Sequence, residues 1–143
     1  MTVAAILADK GRDVATTTPS KTVADAVAIL ARRKIGALVV VEGSDHIAGI
    51  ISERDIVRAI AATAGAALAE PVSAIMTKTV VTCSEGETID SVMSRMTRGR
   101  FRHLPVTTGG RLSGIISIGD VVKARIEQVE REAEEMRAYI ATA

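Results

Sequence analysis

Cysteine is nearly absent from this chain, tryptophan is wholly absent, and Phe101 and Tyr139 are its only aromatic residues. The lone Cys83 excludes an internal disulfide and a cysteine-rich zinc site built within one chain. Without aromatic stock, the core has to be assembled from Ala, Val, Ile, Leu and Met, which dominate the 48% apolar share. Neither sign of charge is in excess, since 18 Lys and Arg against 17 Asp and Glu leave +1. That balance argues against the broad positive field of nucleic-acid or anionic-membrane binding, so any anion site has to be local.

Long hydrophobic runs are missing as well. No stretch reaches the roughly 18 consecutive apolar residues of a membrane span, and the opening MTVAAILADKGRD has no signal-type apolar run after a basic region. The expectation is a soluble cytoplasmic protein with neither a membrane nor a nucleic-acid partner. Catalytic groups are equally sparse. No carboxylate pair stands out for acid and base work, no metal-ligand cluster appears, and Cys83 lies far in sequence from His103. A protein that is not an enzyme and holds no metal is expected.

What the chain does have is repetition. GIISERDIV at residues 49–57 returns as GIISIGDVV at 114–122, residues 14–35 align with 80–101, and even the lead-in VAAIL at 3–7 returns as VSAIM at 72–76. Two copies of one unit settle the architecture, and at 143 residues the chain can bury about 70% of its unfolded surface.

In the first unit, 14–16 reads as a short strand. Thr22 and Asp25 form a capping-box pattern before a helix ending near Lys34. The apolar run 37–41 reads as a strand covered on both faces, followed by a turn at 42–45 and a returning strand at 46–51. Ser52 opens a second helix with Asp55 in its first turn and Ile56, Val57 and Ile60 on its inner side. The second unit repeats this order, with strands at 80–82, 103–107 and 112–116, a helix at 88–98, and a hairpin turn at 108–110 rather than a phosphate loop. Residues 61–71 read as a connector. The last helix outlasts its counterpart: Val122, Ile126, Val129, Ala133, Met136 and Ile140 are spaced four, three, four, three and four apart, the heptad seam of a helix pair.

Two tandem strand, helix, strand, strand, helix units, each closing on G-x-x-S-x-x-D, resemble a pair of CBS domains, named after cystathionine β-synthase, and in particular the small stand-alone bacterial pairs. The resemblance implies an α/β (α+β) fold of two β-α-β-β-α units packed about a pseudo-twofold axis. It divides the chain into a first unit with its lead-in at 1–66, a second at 67–126, and a helical extension at 127–143. It also implies homodimer assembly, no catalysis, and binding of an adenosine-containing ligand such as AMP, ADP, ATP, NAD or S-adenosylmethionine between units. Carried over by motif, Asp55 and Asp120 hold ribose hydroxyls and Ser52 and Ser117 contact ribose or phosphate. Ile35, Gly36 and Ala37, with Phe101, Arg102 and His103, line adenine, and Arg102 and His103 reach phosphate.

Elementary chemistry agrees with that division. A ribose offers two adjacent hydroxyl donors to an acceptor-only carboxylate, and phosphate favours guanidinium or imidazolium donors. Because Arg102 and His103 replace Gly36 and Ala37, one well-equipped site is expected, using Ser52 and Asp55 with Arg102 and His103. Arg54, Lys34, Arg98 and Arg100 are its helpers, and the Ser117 and Asp120 cleft is weaker or empty. Both S-x-x-D turns also suffice as helix caps, worth about 0.5–2 kcal/mol each. The functional expectation is a regulatory module binding AMP, ADP, ATP or NAD and signalling to a separate effector protein; the alternative is a ligand-free module acting through homodimer assembly.

Overall fold

The computed structural model describes residues 1–44 and 46–142. Two three-stranded sheets form, with orders β1-β2-β3 and β4-β5-β6. In the first unit β1 (Thr16–Thr17) runs parallel to β2 (Ala37–Glu42), so a crossover is required, and α2 (Val23–Arg33) supplies it. Thr22 caps α2 through a complete capping box with Asp25, and Lys34 ends it in the left-handed region at φ 55°. β2 then pairs antiparallel with β3 (His46–Ser52), which feeds α3 (Glu53–Thr63). Ala37, Leu38, Val39 and Val40 are all buried, as a strand covered on both faces demands. The turn expected at 42–45 includes Asp45, which lies outside the described residues.

The second unit reproduces this with β4 (Cys83–Ser84), α5 (Ile89–Gly99), β5 (His103–Thr108), β6 (Arg111–Ser117) and α6 (Ile118–Thr142). Gly109 and Gly110 both have positive φ, 58° and 80°, the signature of a two-residue hairpin turn. Even the irregularities repeat: the β2–β3 register shifts between Val40 and Val41, and the β5–β6 register between Val106 and Thr107.

Four expectations change. The first strand of each unit starts later than the apolar pattern suggested, at Thr16 rather than 14 and at Cys83 rather than 80. The buried slots beside β2 and β5 are taken by Thr17 and Cys83, leaving Val80 and Val81 outside the sheet. Val57 is 65% exposed and Ile60 lies at the surface too, so only Ile56 of that helical trio enters the core.

The lead-ins cross over. α1 (Val3–Lys10) places Val3, Ile6 and Leu7 in the core of the second unit, beside Ile89, Val92 and Leu104. The short α4 (Val72–Ile75) places Val72 in the core of the first, beside Val23, Leu38 and Ile51. Matching backbone bonds fix both: Val3 N–H donates to the Glu87 carbonyl at 2.9 Å, and Val72 N–H to the Lys21 carbonyl at 2.7 Å. A boundary at 66/67 therefore divides the chain by repeat and not by core.

The crossing also explains the glycine that begins each GIIS stretch. A Cβ at Gly49 would lie 2.8 Å from Met76 Sδ and from the Thr77 carbonyl, and one at Gly114 would lie 2.8 Å from Leu7 Cδ2. Each glycine admits the other unit's lead-in across its strand. With β3 and β6 also in contact, the two units share a cleft-forming seam.

Candidate functional site

Each returning strand ends on a serine that caps the following helix. Asp55 N–H donates to Ser52 Oγ at 3.4 Å while Ser52 N–H donates to Asp55 Oδ2 at 2.9 Å. The second turn matches, with 3.1 Å from Asp120 N–H to Ser117 Oγ and 2.8 Å from Ser117 N–H to Asp120 Oδ2. Both carboxylates are thus fixed at the positive end of a helix.

Their surroundings differ because the lead-ins differ in length. After the four-residue α4, Thr77 turns along β3: its N–H donates to the Ile50 carbonyl at 2.8 Å and its hydroxyl to Asp55 Oδ1 at 3.2 Å. The eight-residue α1 continues for another turn and brings Lys10 instead. Lys10 Nζ donates to the Ile115 carbonyl at 3.0 Å and to Asp120 Oδ2 at 2.8 Å. Ile50 and Ile115 are the same position of the repeat, so one ammonium takes the strand carbonyl that Thr77 N–H bonds in the first unit and also neutralises the carboxylate, through Oδ2 rather than the Oδ1 that the Thr77 hydroxyl bonds. Burial pushes the Asp120 carboxyl upward, but the Lys10 hydrogen bond and the Ser117 N–H outweigh it and hold it below the usual carboxylate range.

A cavity of about 270 Å³ opens on the Asp55 side. Of the residues expected from the motif, Gly36, Ser52, Arg54, Asp55, Phe101, Arg102 and His103 line it, with the helper Arg100. Its walls thus come from both units, and Arg54 ties them by donating to the Arg100 carbonyl at 3.3 Å. Ile35, Ala37, Ser117 and Asp120 are not brought there. Ile35 packs on the first core and Ala37 is buried in β2. Asp120 lines a different groove of about 720 Å³ between α1 and α6, whose walls carry charges of both signs, among them Asp9, Lys123, Glu127 and Arg131. Lys34 and Arg98 also lie outside the cavity lining.

Four arginines, Arg54, Arg58, Arg100 and Arg102, face two carboxylates, Glu53 and Asp55, around the cavity, so its field is positive in a protein of almost no net charge. His103 reaches across to the first unit; a Cβ on Gly36 would sit 3.3 Å from its Cε1. Burial lowers the His103 pKa, with Lys10 and Arg102 acting in the same direction against Glu53 and Asp120, so the resting imidazole is neutral near pH 7. Of the Asp55 oxygens, Oδ2 already accepts from Ser52 N–H and Ser52 Oγ, whereas Oδ1 holds only the Thr77 hydroxyl. Oδ1 is therefore the acceptor open to a ligand's hydroxyls.

Sequence reasoning missed Ile50, Glu53, Arg58, Thr77, Thr79, Val80 and Val81. Arg58 follows Arg54 by one helical turn and could have been found from that spacing. Residues 77–81 carried no such signal, because their position follows from the crossed lead-in. Among the described residues no group of three or more His, Cys, Asp or Glu is placed to hold a metal ion, and no helix is long and apolar enough to cross a membrane. Cys83 is buried, which pushes its thiol up to about 11 and leaves it a poor nucleophile.

Comparison with known proteins agrees with the repeat. The CBS domain family model matches twice, at residues 7–62 and 72–127. The crystal structure of the CBS-domain containing protein ATU1752 from Agrobacterium tumefaciens is 50% identical, with TM-score 0.85, over 87% of this chain and 99% of that one. The CBS domain pair of protein MJ0100, solved with 5′-methylthioadenosine and S-adenosyl-L-methionine, is 26% identical with TM-score 0.78 over 87% of this chain and 98% of that one. The mitochondrial CBS domain-containing protein CBSX3 of Arabidopsis thaliana is 36% identical over 86% of this chain, which spans only 62% of that protein's length. With both repeats matched and the fold shared, the chain belongs to the CBS-domain family, as a tandem pair of these regulatory modules.

Proposed function

We propose that this pair is a homodimeric sensor that binds one phosphate-bearing adenosine ligand, AMP, ADP, ATP or NAD, in the cleft lined by Ser52, Asp55, Arg102 and His103, and passes its state to a separate effector protein in the cytoplasm. The observation that carries this reading is the joining of the helix-capping Asp55 of one unit to Arg100, Arg102 and His103 of the other around a single cavity. The ribose diol takes Asp55 Oδ1, displacing or sharing the Thr77 hydroxyl. Phosphate lies toward Arg54, Arg100 and Arg102, and the base rests on Ile50, Val80 and Val81. The cavity volume falls just below the roughly 300–1,000 Å³ range for ligand sites, which favours a mononucleotide over NAD. The excess of arginine favours a phosphate over the sulfonium of S-adenosylmethionine. The MJ0100 pair supports the adenosine part of the reading, since its ligands both contain that group.

Because the ligand contacts both units, its binding free energy depends on their relative placement, which is how occupancy becomes a conformational signal. A second reading, assembly with the cleft empty, is favoured by the apolar stripe left exposed on α6. Thermal unfolding with millimolar AMP, ADP, ATP, NAD and S-adenosylmethionine separates the two. A ligand at a hundred times its Kd stabilises the native state by about 2.7 kcal/mol, a rise of several degrees. A rise with a phosphate-bearing ligand that vanishes in Arg102→Ala supports the sensor, and no rise with any of them overturns it.

A further inference from the structure

The cleft leaves α6 unexplained. After Val121 and Ala124, which are buried on its own domain, the helix carries Val122, Ile126 (53% exposed), Val129, Met136 (59%) and Ile140 (66%) along one face, through to Thr142. Val121 and Ala124 point about 100° and about 160° away from the centre of that face around the helix, so the stripe is not a continuation of the domain core. Its spacing puts Ile126, Ala133 and Ile140 at a and Val122, Val129 and Met136 at d of a heptad.

We propose that this face is the seam by which two copies of the chain pair, with their α6 helices parallel and in register; the proposal specifies the surface and orientation of the homodimer named above. The charges beside the seam select that arrangement. Positions e hold Lys123, Glu130 and Arg137, and positions g hold Arg125, Glu132 and Tyr139. In a parallel pair each g faces the e five residues on in the other helix. Arg125 then meets Glu130 of the second copy, and Glu132 meets Arg137 of the second copy, and the twofold repeats both pairs. Arg125 also lies 3.2 Å from Asp90 of its own α5, so it bridges the domain to the seam.

An antiparallel pair that overlaps the whole stripe from Val122 to Ile140 fares worse. Layering a against d sets Ile126 against Met136 and Val129 against Ala133 of the second copy, which brings e to e and g to g. Lys123 then meets Arg137, Glu130 meets Glu130, and Glu132 meets Glu132, so like charges face each other at every e–e step. The apolar stripe alone does not choose between orientations. With the whole stripe overlapped, the flanking charges do.

The test uses the full chain at several concentrations. Light scattering gives twice the chain mass of 15.0 kDa for the wild type, and Ile126→Asp shifts it to the single-chain mass with unchanged helical circular dichroism, because Ile126 is exposed within one chain. Ala133→Cys becomes quantitatively disulfide-linked on mild oxidation, since an a-position residue faces its own counterpart only in the parallel register. Buried Cys83 leaves the wild type unlinked. Glu132→Arg raises the dimer Kd about tenfold, and adding Arg137→Glu restores it. A wild-type mass of one chain at all concentrations overturns both the homodimer and the seam. A dimer that survives Ile126→Asp and is not linked through Ala133→Cys overturns the seam alone.

Discussion

Lys10→Met tests the asymmetry between the clefts directly. In the wild type the Lys10 ammonium holds Asp120 Oδ2 at 2.8 Å and the Ile115 carbonyl at 3.0 Å, neutralising the carboxylate a ribose would need on that side and filling the space beside it. A ligand entering there has to break both bonds. Hydrogen bonds to charged groups contribute about 1.5–3 kcal/mol, and the two side chains remain 33% and 25% exposed, so solvent screening reduces the barrier to about 1–2 kcal/mol. That corresponds to a roughly five- to thirtyfold weakening of the second cleft. Methionine keeps the apolar stem along α1 and removes the charge. Isothermal titration with AMP should show one site in the wild type, and in Lys10→Met a second, weaker site whose affinity has risen by that factor. It stays weaker because Lys34, Ile35 and Gly36 stand where the first cleft has Arg100, Phe101 and Arg102. One unchanged site in Lys10→Met, in a protein that still folds, refutes the reasoning.

Asp55→Ala and Asp120→Ala remove equivalent caps, so each should lower stability by about 0.5–2 kcal/mol in urea unfolding, yet only Asp55→Ala should abolish AMP binding; equal losses of affinity would sink the one-site reading. His103 titrates below its ordinary value because burial disfavours the cation, so it withdraws stability as the pH falls below about 6.5 toward its folded pKa. An NMR titration should show that pKa rising when AMP saturates the cleft, and an unmoved pKa would remove His103 from the phosphate's surroundings. Gly49→Ala forces a methyl against Met76 Sδ and the Thr77 carbonyl, each 2.8 Å away, costing about 1–3 kcal/mol or roughly 3–10 °C in Tm. A neutral Gly49→Ala in a thermal scan would show that the crossed lead-in does not press on β3.

The helices and returning strands were legible because their signals are local. Thr22 with Asp25 and Ser52 with Asp55 place two helix starts by side-chain chemistry alone, and both caps are present. The buried run 37–40 and the Gly109–Gly110 turn are equally local. Val57 and Ile60 misled because an apolar residue on a helix states only that some surface is apolar, not that the same chain covers it. The two-residue first strands misled because two residues carry no period to count. Around the cavity, the motif carried the reading to Asp55 and to Arg102, but not to Thr77, Val80 and Val81, whose place is set by a contact with the other unit.

That contact is also where the two halves of a nearly symmetric chain become different. The repeat makes Ile50 and Ile115 equivalent, and likewise Asp55 and Asp120, so nothing in the motif distinguishes one cleft from the other. Besides the exchange of Gly36 and Ala37 for Arg102 and His103, a distinction enters through helix length in segments that precede each unit in sequence and pack on the opposite unit in space. Four residues of α4 end in time for Thr77 to bond the strand as backbone, leaving Asp55 Oδ1 with a neutral hydroxyl that a ligand can replace. Eight residues of α1 carry an ammonium to the same depth, where it neutralises Asp120. Exchanging a neutral donor for a cation at one position turns a carboxylate with a replaceable partner into half of an internal ion pair. The same crossing that joins the two cores therefore decides which of the two carboxylates is neutralised within the chain.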